Sequence, residues 1–178
     1  MMKRLVTALV LGLGFTINSA QAEKSASPPA IPYWSVWADT EGVTHQTRCA
    51  VSNLQLEDFA SSGNPEWVSQ NDPASKRYVF NVMPVGWVGN WHKNPAPQWI
   101  IPLSGRWFVK TTDGKRLEMG PGEISFGGDQ NAQIVNGQQG HQSGSVGNQP
   151  AKVIIIQLTQ PIVGLSDPKC SGGGLPIR

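Results

Sequence analysis

The chain has 178 residues, enough for one domain and too few for two comfortable ones. Charged residues make up only 15% of it, while 20 glycines, 14 prolines and seven tryptophans take their place. That composition excludes a coiled coil or helical bundle and argues against a highly charged disordered chain. Turn formers, aromatics and β-branched residues together predict a β-rich globule.

The N-terminus reads as an address. Met1-Met2-Lys3-Arg4 is a basic leader, Leu5 to Ile17 is apolar apart from Thr7 and Thr16, and Ala20-Gln21-Ala22 supplies small residues at a cleavage site. This is the three-part pattern of a secretory signal peptide over residues 1–22. The apolar run falls short of the roughly 20 residues that a membrane-spanning helix needs. The expected mature chain starts at Glu23 and is secreted or periplasmic, with no membrane association after cleavage. Without Lys3 and Arg4 the 14 basic residues fall to 12, which match the 12 acidic ones. A neutral surface with no Lys/Arg stripe gives no footprint for nucleic acid.

Residues 23–41 read as an N-terminal linker or arm, extended through the Ser/Ala/Pro stretch from Ser25 to Pro32. From Val43 the sequence TRCAVSNL predicts a strand, and a polar, proline-broken stretch follows to Ser75 with one brief helical turn around Leu56 to Ser61. Strands are expected at Arg77–Met83, Gln98–Leu103 and Arg106–Thr112; Asp113-Gly114 then signals a hairpin into Lys115–Met119. Pro121-Gly122 makes the next turn, and Glu123–Phe126 a short strand. Gly127 to Gln149 is rich in Gly, Asn and Gln and reads as loops around one or two weak strands, whereas Val153–Leu158 (VIIIQL) is the clearest buried strand. Short strands at near-regular spacing predict a sandwich or barrel over residues 42–160. The cysteines, Cys49 and Cys170, most simply pair with each other in an exported chain, tying back a tail at 161–178; the alternative is two free buried thiols.

The stretch from Pro84 to Gly122, PVGWVGNWHKNPAPQWIIPLSGRWFVKTTDGKRLEMGPG, resembles the first half of a cupin barrel. The first cupin motif runs His-x-His, three or four residues, Glu, six residues, Gly. His92-Lys93-Asn94, Pro95-Ala96-Pro97, Gln98 and Gly105 keep that spacing, with Asn94 at the second histidine and Gln98 at the glutamate. Trp91-His92 and Gly140-His141 match the Trp-His and Gly-His pairs of one cupin subgroup, and the resemblance spans Gly42 to Leu158. It implies an all-β, double-stranded β-helix: a single cupin-like jelly-roll barrel.

The resemblance also implies a site. An imidazole from each motif plus an oxygen donor makes a three-sided metal centre with open positions. His92 and His141 are the expected ligands of a divalent Fe, Mn, Zn, Cu or Ni ion, with Gln98 third and Asn94 fourth. Neutral amides in place of Glu and His weaken such a centre, so the pocket holding a small organic molecule without metal stands beside it. His45 is a candidate third imidazole reaching the pocket. Asp129, in GGDQN, either orients His141 or starts a turn, and Trp91 and Trp107 are candidate aromatic walls. Two functions follow from different classes: an exported small-molecule-binding module, or a metal-dependent oxygenase or isomerase on His92 and His141. Pairing of two barrels into a homodimer is the expected self-association.

Overall fold

The computed structural model of the chain describes residues 28–59, 64–70, 74–162 and 168–171. Strands fill most of them: β1 (Ile31–Ala38), β2 (Thr44–Val51), β3 (Leu54–Glu57), β4 (Glu66–Ser69), β5 (Ser75–Met83), β6 (Gln98–Ser104), β7 (Arg106–Thr111), β8 (Arg116–Met119), β9 (Ile124–Gly128), β10 (Ile134–Val135), β11 (Gln138–Gln139), β12 (His141–Val146) and β13 (Ala151–Leu158). One helical turn, α1 (Pro168–Ser171), comes last. The expected signal peptide at 1–22 lies outside the described residues.

Two sheets carry the architecture. The larger has the order β2-β1-β9-β6-β13-β5, and the smaller β12-β7-β8. Residues Val88 and His92 add isolated antiparallel bridges to Gly144 and His141, extending the smaller sheet by a fourth, irregular edge. Strands far apart in sequence thus lie side by side: β13 pairs antiparallel with both β5 and β6. This is an all-β arrangement of two sheets, consistent with a jelly roll.

Alternation along the strands sorts side chains between two cores. The inner one lies between the sheets and gathers Val36, Met83, Ile100, Trp107, Val109, Met119, Ala151 and Val153. The outer one lies on the other face of the larger sheet, where Tyr33, Cys49, Phe126, Leu158 and Ile162 are buried and Trp99 packs beside them. Phe126 is fully buried there, a burial that contributes about 2–3 kcal/mol. The rings of Trp99 and Tyr33, and of Trp99 and Phe126, meet edge-on with centroids 4.9 and 4.8 Å apart. In β6 this sorting sends Gln98 and Ile100 inward and Trp99 outward, as a two-residue period requires.

Two expectations need correction. The arm at 23–41 is not wholly a linker: Ile31–Ala38 is β1, hydrogen-bonded between β2 and β9 inside the larger sheet. Its two faces are both covered, with Tyr33 in the outer core and Val36 in the inner one, so the sequence IPYWSVWA shows no apolar/polar alternation to betray a strand. The helical turn expected from Leu56 is instead the end of β3, whose Leu56 and Glu57 pair with Trp67 and Glu66 of β4; residues 60 and 61 lie outside the described residues. The Cys49–Cys170 pairing is present as a disulfide with Cα atoms 5.7 Å apart.

Candidate functional site

β6 begins at Gln98 and β12 at His141, one in each sheet, and the irregular segment carrying His92 and Asn94 crosses between them. The crossing is held by backbone: His92 donates its N–H to the His141 carbonyl at 2.9 Å and accepts from the His141 N–H at 2.8 Å. Gly140 makes this approach feasible. It has φ +76°, and a Cβ there would collide with the His92 carbonyl.

A buried polar chain runs from this crossing into the larger sheet. The Asp129 carboxylate can only accept. Its Oδ2 takes the Nδ1–H of His141 at 2.8 Å, and its Oδ1 takes the backbone N–H of Asn94 at 3.0 Å and the Asn94 Nδ2–H at 2.6 Å. That fixes the Asn94 amide with its oxygen facing away, where it accepts from Gln98 Nε2 at 2.6 Å. Gln98 Oε1 in turn accepts from Gln157 Nε2 at 3.0 Å. Asp129 is completely buried, and Asn94, Gln98 and His141 nearly so. Burial pushes the Asp129 carboxyl up, but the electrostatic attraction of His141 and the bonds from His141 and Asn94 outweigh it and hold the group below its usual range.

Both histidines end with the same polar atom free. Asn90 O accepts from His92 Nδ1 at 2.8 Å, and Asp129 accepts from His141 Nδ1, so in the neutral rings each Nε2 keeps its lone pair. The ring centroids are 4.6 Å apart, and both rings line a cavity of about 140 Å³ between the sheets. Its wall is apolar at Ile100, Val109 and Val153 and polar at Asn94, Gln98 and Ser143. A wider groove of about 430 Å³ lies on the outer face of the larger sheet, along Trp99, Ile101 and Ile156, and its lining carries no His, Asp, Glu, Lys or Arg.

Of the expected site residues, His92, Asn94, Gln98, His141 and Trp107 meet at this cavity, and Asp129 orients His141 from behind. His45 does not reach it. Its ring stacks on Trp37 and lies between Asp39 (2.9 Å) and Asp113 (3.0 Å), because β2 turns His45 to the same side as Trp37, its partner in β1. Trp91 is not in the lining either; Trp87 takes that place. Ser125, Ser143 and Gln157 were not foreseen. Gln157 has a readable signal, being the one polar residue within VIIIQL, and Ser125 faces inward by alternation with the outward Phe126.

The donor set does not fit the expected metal centre. Among the described residues no cluster of three or more His, Cys, Asp or Glu side chains is placed to hold a metal. The Asn94 and Gln98 oxygens, expected as fourth and third ligands, are turned into the amide chain, and both Asp129 oxygens are engaged. Of the expected ligand residues, only the two imidazole Nε2 atoms remain uncommitted.

The chain's tight packing here is testable at Gly127, where a Cβ would fall on the Asn94 carboxamide. Gly127→Ala is expected to cost about 1–3 kcal/mol in chemical denaturation. An unshifted midpoint would show that Asn94 has room to move.

No family model matches the chain, and no curated protein does. Solved structures similar to it include a cupin-2 domain protein from Shewanella frigidimarina, 18% identical over 51% of this chain and 83% of that one, with a TM-score of 0.32. Another is a cupin superfamily protein from Desulfitobacterium hafniense, 9% identical over 58% of this chain and 97% of that one, TM-score 0.33. A third, titled a putative ethanolamine utilization protein from Salmonella typhimurium, is 12% identical over 73% of this chain and 97% of that one, TM-score 0.34. Overlaps this partial say nothing of activity or ligand.

Proposed function

We propose that the chain is exported and binds a compact organic molecule in the cavity between its two sheets, without a metal. The observation that carries this reading is the fully committed chain Gln157–Gln98–Asn94–Asp129–His141, which spends the amide oxygens on each other and leaves two imidazole acceptors facing the cavity. A volume of about 140 Å³ is on the scale of cavities that hold one benzene-sized ring. Asp129 fixes the tautomer and orientation of His141, as a carboxylate does behind a catalytic histidine. His141 Nε2 can therefore accept a hydrogen bond from a bound hydroxyl, and it is the group that would take a proton if the ligand is also a substrate. Export rests on the leader and on the disulfide, which persists in oxidising compartments.

The second reading, a metal-dependent enzyme, is favoured by one observation, the 4.6 Å approach of the two histidine rings. Elemental analysis of mature protein from the exported fraction, made without a histidine tag, separates the two. The expected result is no stoichiometric transition metal in wild type and unchanged folding of His92→Ala. Near-stoichiometric Fe, Mn, Zn, Cu or Ni that disappears in His92→Ala would overturn the binding reading in favour of the enzyme.

A further inference from the structure

Two polar groups in the cavity wall have no partner. The Trp107 indole nitrogen, on β7 of the smaller sheet, and the Ser125 hydroxyl, on β9 of the larger one, are buried without a hydrogen-bond partner among the described residues, and both residues line the cavity. Trp107 is 5% exposed and Ser125 0%. The indole case is the informative one. A buried carbonyl-type oxygen tolerates an unused lone pair, as the Gln46 oxygen does here while its amide nitrogen is well bonded. An indole N–H has one bond to make and is a donor only, and buried tryptophans ordinarily place it.

We propose that Trp107 and Ser125 form an acceptor-reading subsite, and that the ligand is a small uncharged carbonyl compound. This rests on the cavity being a ligand site, as proposed above, and goes on to name what enters it. The Trp107 N–H requires an acceptor oxygen from the ligand. The lining carries no Lys or Arg to pair with a carboxylate, and the buried Asp129 carboxylate behind His141 disfavours a second negative charge nearby, so that oxygen is neutral. Ile100, Val109 and Val153 give the ligand an apolar body, and the two Nε2 atoms suit a hydroxyl on its far side. The subsite thus selects a ring-sized ketone, lactone or ester over a hydrocarbon of the same shape. Ser125, a donor and an acceptor, adjusts to whichever oxygen is presented.

The test uses cyclohexanone and its hydrocarbon counterpart methylenecyclohexane as probes, titrated by NMR against the full mature protein. The measured quantity is the ratio of their affinities in wild type, Trp107→Phe and Ser125→Ala. The ratio cancels general effects of each substitution on cavity shape. It is expected to move about tenfold toward the hydrocarbon in Trp107→Phe and by a smaller factor in Ser125→Ala. Binding of both probes with a ratio unmoved in both variants would overturn the subsite and leave the cavity reading intact. Failure of both probes to bind wild type would overturn the cavity reading and the subsite with it, whereas binding of methylenecyclohexane alone would overturn the subsite and binding of cyclohexanone alone would support it. If Trp107→Phe does not fold, the ratio in Ser125→Ala decides.

Discussion

Asp129→Ala is expected to destabilise the protein by about 3–5 kcal/mol, since each buried donor left without a partner costs about 1–3 kcal/mol. The carboxylate is fully buried and receives three hydrogen bonds, from His141, the Asn94 backbone and the Asn94 side chain. Its removal strands all three donors at once, and the Asn94 amide that Gln98 and Gln157 depend on loses its anchor. Against a total stability on the order of 5–15 kcal/mol, such a loss is large. Urea unfolding should show a lower midpoint with an unchanged slope, and a loss under about 1 kcal/mol would mean that the chain is not a structural unit. The pH dependence has a definite sign. The folded-state carboxyl lies below its ordinary value of 3.8, so the stability it supplies is complete above that value and disappears as pH falls through the lower folded value. Wild type should therefore lose stability steeply below about pH 4, and Asp129→Ala less steeply. Part of the slope will survive in the variant. Burial raises Asp39 and Asp113, yet hydrogen bonds, chiefly from His45 to Asp39 and from Thr111 to Asp113, hold both below the usual range as well.

The parts of this site visible in the sequence were those with fixed spacing. His92, Asn94, Gln98 and Gly105 sit at motif intervals because the segment before β6, the strand and its closing turn have set lengths, and β6 alternates cleanly. Asp129 was legible only as an acidic residue with two uses; the distance to His141 Nδ1 decided for orientation over a turn alone. What could not be read was whatever depends on partners far away in sequence. Asn94 and Gln98 look like weakened ligands until the Asp129 carboxylate shows which way each amide faces, and Gln157 closes the chain from 59 residues beyond Gln98. β1 was lost because a strand buried on both faces has no period-two signal. β12 was legible only as one of the weak strands expected somewhere within Gly127 to Gln149, because HQSGSV offers serine and glycine where strands usually carry branched residues, and pairing with β7 gives it its bounds. His45 went astray for the opposite reason: a histidine next to a predicted strand invites a site, while the strand's face assigns it to two carboxylates outside the cavity.

Reduction of the disulfide, or Cys49→Ser with Cys170→Ser, is expected to cost about 4–5 kcal/mol on the chain-entropy account of cross-links. Cys49 and Cys170 are 121 residues apart, so the bond closes a loop holding most of the described strands and removes much of the unfolded chain's freedom. The native side is also well supported. Cys49 is buried with Tyr33, Phe126 and Leu158, Cys170 packs on the same cluster, and the Tyr33 hydroxyl donates to the Cys170 carbonyl at 2.6 Å. The bond thus fastens α1 over the outer core, on the side of the larger sheet opposite the cavity. For a domain of this size the loss corresponds to a melting temperature roughly 10–15 °C lower in reducing buffer, measured by calorimetry with and without dithiothreitol. Equal midpoints would show that the outer core holds α1 unaided. Because the cavity lies across the sheet from the bond, affinity for cyclohexanone at a temperature where both forms are folded should be the same in the oxidised and reduced protein. A chain stabilised in this way folds best where thiols are oxidised, which agrees with the export proposed above.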